Sequence, residues 1–129
     1  MVARPGRHRA VLFSIALVLG AACVPATDVP DDCGAGAVTR AATLADERLE
    51  PATLEVCRGQ SVTLELSVER DAILHLHGYE AELPAQRVRA GHDVALSFRA
   101  ARAGQFDIAI HATDGPAEAV VGTLVVHEG

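Results

Sequence analysis

An all-β sandwich is the fold this sequence predicts. Residues 61–69 (SVTLELSVE) alternate strictly, with Val62, Leu64, Leu66 and Val68 on one side and Thr63, Glu65, Ser67 and Glu69 on the other. Residues 93–98 repeat the pattern, with Val94, Leu96 and Phe98 opposed to Asp93, Ala95 and Ser97. Period-two alternation is the mark of a strand buried on one face. Turn-forming residues punctuate the chain at short, regular intervals, as a stack of short strands requires.

The N-terminus carries a targeting pattern. Arg4, Arg7, His8 and Arg9 are basic, residues 10–19 form an almost unbroken apolar run, and Gly20, Ala21 and Ala22 are small. The run is too short to cross a bilayer, so residues 1–26 read as a secretory signal peptide cleaved near residues 22–26. Two processing outcomes fit. A cut before Thr27 releases a soluble exported protein. Alternatively, Leu19-Gly20-Ala21-Ala22-Cys23 resembles the bacterial lipoprotein signal, with Cys23 lipidated, although the apolar residue stands one position further from the cysteine than that box normally has it. The second outcome is the reading taken: an extracytoplasmic protein of the periplasm or cell envelope, touching the membrane only through a lipid anchor.

Either outcome leaves Cys33 and Cys57, and an even pair in an exported protein reads as one disulfide rather than two free thiols. Residues 27–36, with Pro30, Asp28, Asp31, Asp32 and two glycines, read as a linker, and residues 37–129 as one domain. Residues 44–49 (LADERL) contain helix formers and are compatible with a short helix ended by Pro51. Arg58-Gly59-Gln60, Arg70-Asp71, Ala90-Gly91-His92 and Arg102-Ala103-Gly104 each precede an apolar run, and Asp114-Gly115-Pro116 separates off the last one, residues 120–127.

Composition excludes several functions. The formal net charge is −6, with no lysine, no tryptophan and only 3% aromatic residues. A nucleic-acid partner would call for a basic stripe or an aromatic platform. Ser61, Ser67 and Ser97 lie within strands without a glycine-rich nucleophile elbow. Asp71, Asp107 and Asp114 read as turn and surface carboxylates, and nothing resembles a phosphate-cradling loop. The expectation is a protein that is not an enzyme.

The segment His75-Leu76-His77-Gly78-Tyr79 carries the chemistry. Imidazoles two residues apart on a strand share a face. Such a pair can bind a metal ion, or it can be two polar residues on a sheet surface. His111 lies near the end of a later strand, and Glu80 and Glu82, in the loop after Tyr79, are candidates to add a carboxylate ligand. His92, in a turn, and His127, near the C-terminus, read as solvated.

Four phrases in order resemble a cupredoxin-like domain of the exported plastocyanin-like and iron-transport-associated type. They are Arg58-Gly59-Gln60-Ser61-Val62, Asp71 through His77-Gly78-Tyr79, Ala90-Gly91 with the strand at Val94, and Ala103-Gly104-Gln105-Phe106. The resemblance implies a Greek-key β-sandwich and places His77 at the first histidine ligand of a copper site. It also implies a cysteine ligand six residues after Gly104 and a second histidine three residues later; these positions are Ile110 and Thr113, and the only methionine is Met1. A blue-copper site needs two histidines, a thiolate and usually a weak axial methionine. Electron transfer of that type is therefore not expected. His75, His77 and His111 remain the candidate metal ligands, with copper as the expected ion, zinc as the alternative, or no metal at all. By strand alternation His111, next to Ile110, should point away from the face of the missing cysteine and reach the His77 side only through a bulge. The alternative function is a metal-free interaction or scaffold domain with an unidentified envelope protein as partner.

Overall fold

The computed structural model describes residues 28–129, so the signal peptide of residues 1–26 and Cys23 lie outside the described residues. The strands are β1 (Ala37–Leu44), β2 (Leu49–Glu50), β3 (Thr53–Cys57), β4 (Ser61–Val68), β5 (Ala72–Leu76), β6 (Gln86–Val88), β7 (Val94–Arg99), β8 (Gly104–His111) and β9 (Glu118–His127). They form two sheets, β2-β1-β4-β7 and β3-β9-β8-β5-β6. The β1–β4 and β3–β9 pairs are parallel and the other pairs antiparallel.

The alternation read from sequence sets the core. In β4, Val62, Leu64, Leu66 and Val68 are all buried, and in the neighbouring strand β7 Leu96 and Phe98 are buried beside Leu64 and Val62 on the same face. The second sheet contributes Leu74, Leu76, Ile108, Ile110, Leu124 and Val126. Burial of apolar area at about 25 cal/mol per Å² is what holds two such sheets together.

Residues 44–49 do not form a helix. Leu44 ends β1 and Leu49 begins β2, paired across a tight turn in which the Ala45 N–H donates to the Arg48 carbonyl. Both leucines are at most 1% exposed. Burying that pair outweighs the modest helix propensity of the intervening residues.

Much of the segment read as a linker is docked onto the domain. Cys33 and Cys57 are disulfide-bonded, as expected. The buried Gln60 side chain accepts from the Cys57 N–H at 2.7 Å and donates to the carbonyls of Asp32 and Ala35 at 2.7 and 3.1 Å. Arg40 holds Asp32 through both carboxylate oxygens at 2.8 and 2.9 Å, and this contact lowers the Asp32 pKa. Proline, glycine and aspartate suggested a spacer here, but the tie depends on partners 8 to 28 residues away.

Candidate metal-binding face

Leu74 and Leu76 of β5 point into the core, so Ile73 and His75 point outward. His77 continues the same face just past the strand, its N–H donating to the Asp107 carbonyl at 2.9 Å. In β8, Ile108 and Ile110 face inward and His111 outward. Ladder register pairs Ile73 with His111 and His75 with Ala109. The three candidate histidines therefore share the outer face of the five-stranded sheet. His111 does point away from the buried Ile110 side, as alternation requires. It joins His77 without any bulge in β8, because His77 also faces outward.

The imidazoles lie in a row. His111 and His75 have ring centroids 5.0 Å apart at 28°, and His75 and His77 are 5.8 Å apart at 5°. The ring planes are thus near-parallel, stacked side by side rather than turned toward a common centre. As the side chains stand, no group of three or more His, Cys, Asp or Glu among the described residues is arranged to hold a metal ion.

Hydrogen bonds fix two of the rings. Nδ1 of His111 lies 2.8 Å from the Ala112 carbonyl oxygen. A carbonyl only accepts, so Nδ1 carries the proton and Nε2 keeps its lone pair in the neutral ring. His77 sits between two carboxylates, with Nε2 2.7 Å from Glu118 and Nδ1 3.3 Å from Glu80. The bond to Glu118 is the main cause that raises the His77 pKa above its ordinary value, with Glu80 adding to it. Glu80 is itself held by the Gly78 N–H, at 3.0 and 3.1 Å from its two oxygens. Its own backbone N–H and that of Gly78 lower its pKa.

Sequence reasoning missed Glu118. Between Ile108 and Ala109 the β8–β9 register shifts: Ile108 pairs with Gly122, but Ala109 pairs with Val120. Val121 is thus the extra residue of a bulge in β9. A one-residue slip exchanges faces. The bulge consequently sets Glu118, rather than Ala119, opposite His111 on the histidine face. Gly122 adjoins the bulge, and a Cβ there would lie 2.8 Å from the Ala52 carbonyl oxygen.

The loop after His77 is anchored from beneath. Gly78 adopts φ +87°, and a Cβ on it would stand 2.7 Å from Phe106. Tyr79 is fully buried, packed edge-on against Phe98 and Phe106 at 5.4 and 4.7 Å. The Arg102 guanidinium lies 4.4 Å from the Tyr79 ring centroid, donates to the Gly78 carbonyl, and grips Glu82 at 2.7 and 3.1 Å. Glu82, a candidate extra ligand by sequence, is thus committed to Arg102, a bond that lowers the Glu82 pKa. Thr113 is exposed beyond β8. His127 is not solvated as expected: its side chain is only 12% exposed and Nε2 lies 3.2 Å from Glu55. A groove of about 560 Å³, lined by Ala41, Thr43, Glu65, Ser67 and Asp93, lies on the other sheet, away from the histidines.

No family model and no curated protein matches the chain. Among solved structures it is similar to auracyanin A, a "blue" copper protein from the green thermophilic photosynthetic bacterium Chloroflexus aurantiacus. That match has 20% identity and a TM-score of 0.51, covering 71% of this chain and all of the other. It is also similar to a multi-copper oxidase from Pseudomonas thermotolerans, at 17% identity and a TM-score of 0.52, over 70% of this chain and 29% of that one. At these identities the likeness concerns the fold. With the two-sheet sandwich described above, it establishes that the chain has the cupredoxin-like fold.

Proposed function

We propose that the protein is an exported, lipid-anchored cupredoxin-like domain that captures or hands on a transition-metal ion, copper first and zinc as the alternative, through His75, His77 and His111. The observation that carries this reading is the row of three imidazoles on one sheet face, with Nδ1 of His111 already committed and its Nε2 free to coordinate. Imidazole nitrogen with carboxylate oxygen is a donor set that suits Cu(II) and Zn(II). Coordination requires the rings to turn out of their stack, which half-exposed side chains can do. The donors do not suit a blue-copper centre, because Ile110 and Thr113 occupy the positions where that centre would need cysteine and histidine. The metal is cargo in this reading, and electron transfer and catalysis form no part of it.

Export is supported by the Cys33–Cys57 disulfide, since such bonds persist in oxidising compartments. Anchoring rests on Cys23 following the small residues Ala21 and Ala22. Palmitate labelling that disappears in Cys23→Ala would support the anchor, and labelling that persists would remove it.

The test of function is calorimetric titration of the purified protein with Cu(II) and Zn(II), beside His75→Ala, His77→Ala and His111→Ala. The wild type should bind one ion, and each variant should bind more than about tenfold more weakly, a loss that even an outer partner of a ligand produces. Variants that bind as tightly as the wild type would overturn the assignment. A wild type that binds neither ion would leave the metal-free interaction or scaffold domain as the reading.

A further inference from the structure

Glu118 and Glu80 both touch His77, but their settings differ. Glu80 is fixed in place by the Gly78 N–H, which meets both its oxygens, and it faces Nδ1 of His77. Glu118 faces Nε2, is 39% exposed, and stands opposite His111 in the ladder only because of the β9 bulge. In His111 the arrangement repeats: Nδ1 is tied to the Ala112 carbonyl, leaving Nε2. Metal-bound histidines characteristically coordinate through one nitrogen while the other donates to a carboxylate or carbonyl. Applied to both rings, that division makes Nε2 the coordinating atom of His77 and His111. Glu80 and the Ala112 carbonyl are then the outer partners.

Resting on the proposed metal reading, we infer that Glu118 is the carboxylate ligand of this site and that Glu80 is a positioning residue that orients His77. Without metal, Glu118 accepts the hydrogen bond of His77 Nε2. When the ion takes that nitrogen, the Nε2 proton leaves to solvent and Glu118 turns its oxygen to the ion. Once the rings have turned out of their stacked row, three neutral imidazoles and one carboxylate are the donors offered to a divalent cation. Thiolate and thioether donors favour Cu(I). The described cysteines are joined in a disulfide and no methionine lies among the described residues, so the inferred cargo is Cu(II) or Zn(II).

The experiment compares wild type, Glu118→Gln, Glu118→His and Glu80→Gln by Cu(II), Zn(II) and Cu(I) titration, with Co(II) absorption reporting the coordination sphere. Glu118→Gln should weaken Cu(II) and Zn(II) by more than about tenfold, leave Cu(I) unchanged and shift the Co(II) bands. Glu118→His should recover divalent binding by restoring a donor. Glu80→Gln should weaken divalent binding by about 10- to 100-fold with the Co(II) bands in place. If the wild type binds and Glu118→Gln matches it in affinity and spectrum, the inference fails while the metal reading stands. If the wild type binds no ion, the metal reading itself has failed and takes the inference with it.

Discussion

The Tyr79 hydroxyl bonds both backbone groups of Arg102: it donates to the carbonyl at 2.6 Å and accepts from the N–H at 2.9 Å. This pair of hydrogen bonds ties the loop after β5 to the turn before β8 and so holds His77 beside Asp107. Tyr79→Phe would keep the ring packing and strand both Arg102 groups without their partner. The bonds are part-buried, and the expected loss is about 0.5–1.5 kcal/mol for each hydrogen bond removed. Calorimetry should register it as a fall in Tm of about 4–8 °C per kcal/mol. An unchanged Tm would show that the hydroxyl is not holding the loop.

Gly78 should be the least replaceable residue of the histidine segment. Its φ of +87° disfavours any side chain, and a Cβ would collide with Phe106 at 2.7 Å. Gly78→Ala is expected to cost more than about 1 kcal/mol, the lower end for backbone strain of this kind. Urea unfolding would measure it, and a variant as stable as the wild type would mean the loop can be rebuilt without that φ.

The disulfide closes a loop between residues 24 apart. Cys33→Ser with Cys57→Ser should destabilise the domain by about 2–4 kcal/mol. Gln60 and Arg40 still hold residues 32–35, so the double variant should fold. Denaturant midpoints that coincide with and without the bridge would contradict this.

The carboxylates around His77 give stability a definite pH dependence. Folded His77 holds its proton more tightly than unfolded His77, chiefly through Glu118. Its contribution is therefore complete below the ordinary histidine pKa and is lost as pH rises through the raised folded value. Glu80 and Glu82 act in the opposite direction, through backbone N–H groups and Arg102 respectively. Their contributions are complete above the ordinary carboxylate range and fade as pH falls through the lowered folded values. NMR titration should find the His77 ring above the usual histidine value and moved back toward it in Glu118→Gln. A His77 ring that titrates at or below the usual value in the wild type would contradict the pairing.

Local pattern carried much of this fold and less of its site. The alternation in β4 and β7 was legible because one face of each is buried, and the shared face of His75 and His77 followed from their spacing. That His111 joins them without a bulge was not legible, because it depends on the β5–β8 register. Glu118 was hidden for a related reason: a bulge formed against β8 decides whether residue 118 or 119 faces outward, and β9 read alone does not reveal it. The docking of residues 32–35 likewise rests on Gln60 and Arg40, far away in sequence.

Paramagnetic broadening tests the central proposal most directly. One equivalent of Cu(II) added to isotopically labelled protein should erase the ring signals of His75, His77 and His111 together. His92, in its exposed turn, and His127, against Glu55, should remain sharp. Broadening spread evenly over all five of these rings, or confined to His92 or His127, would contradict a metal site on this face.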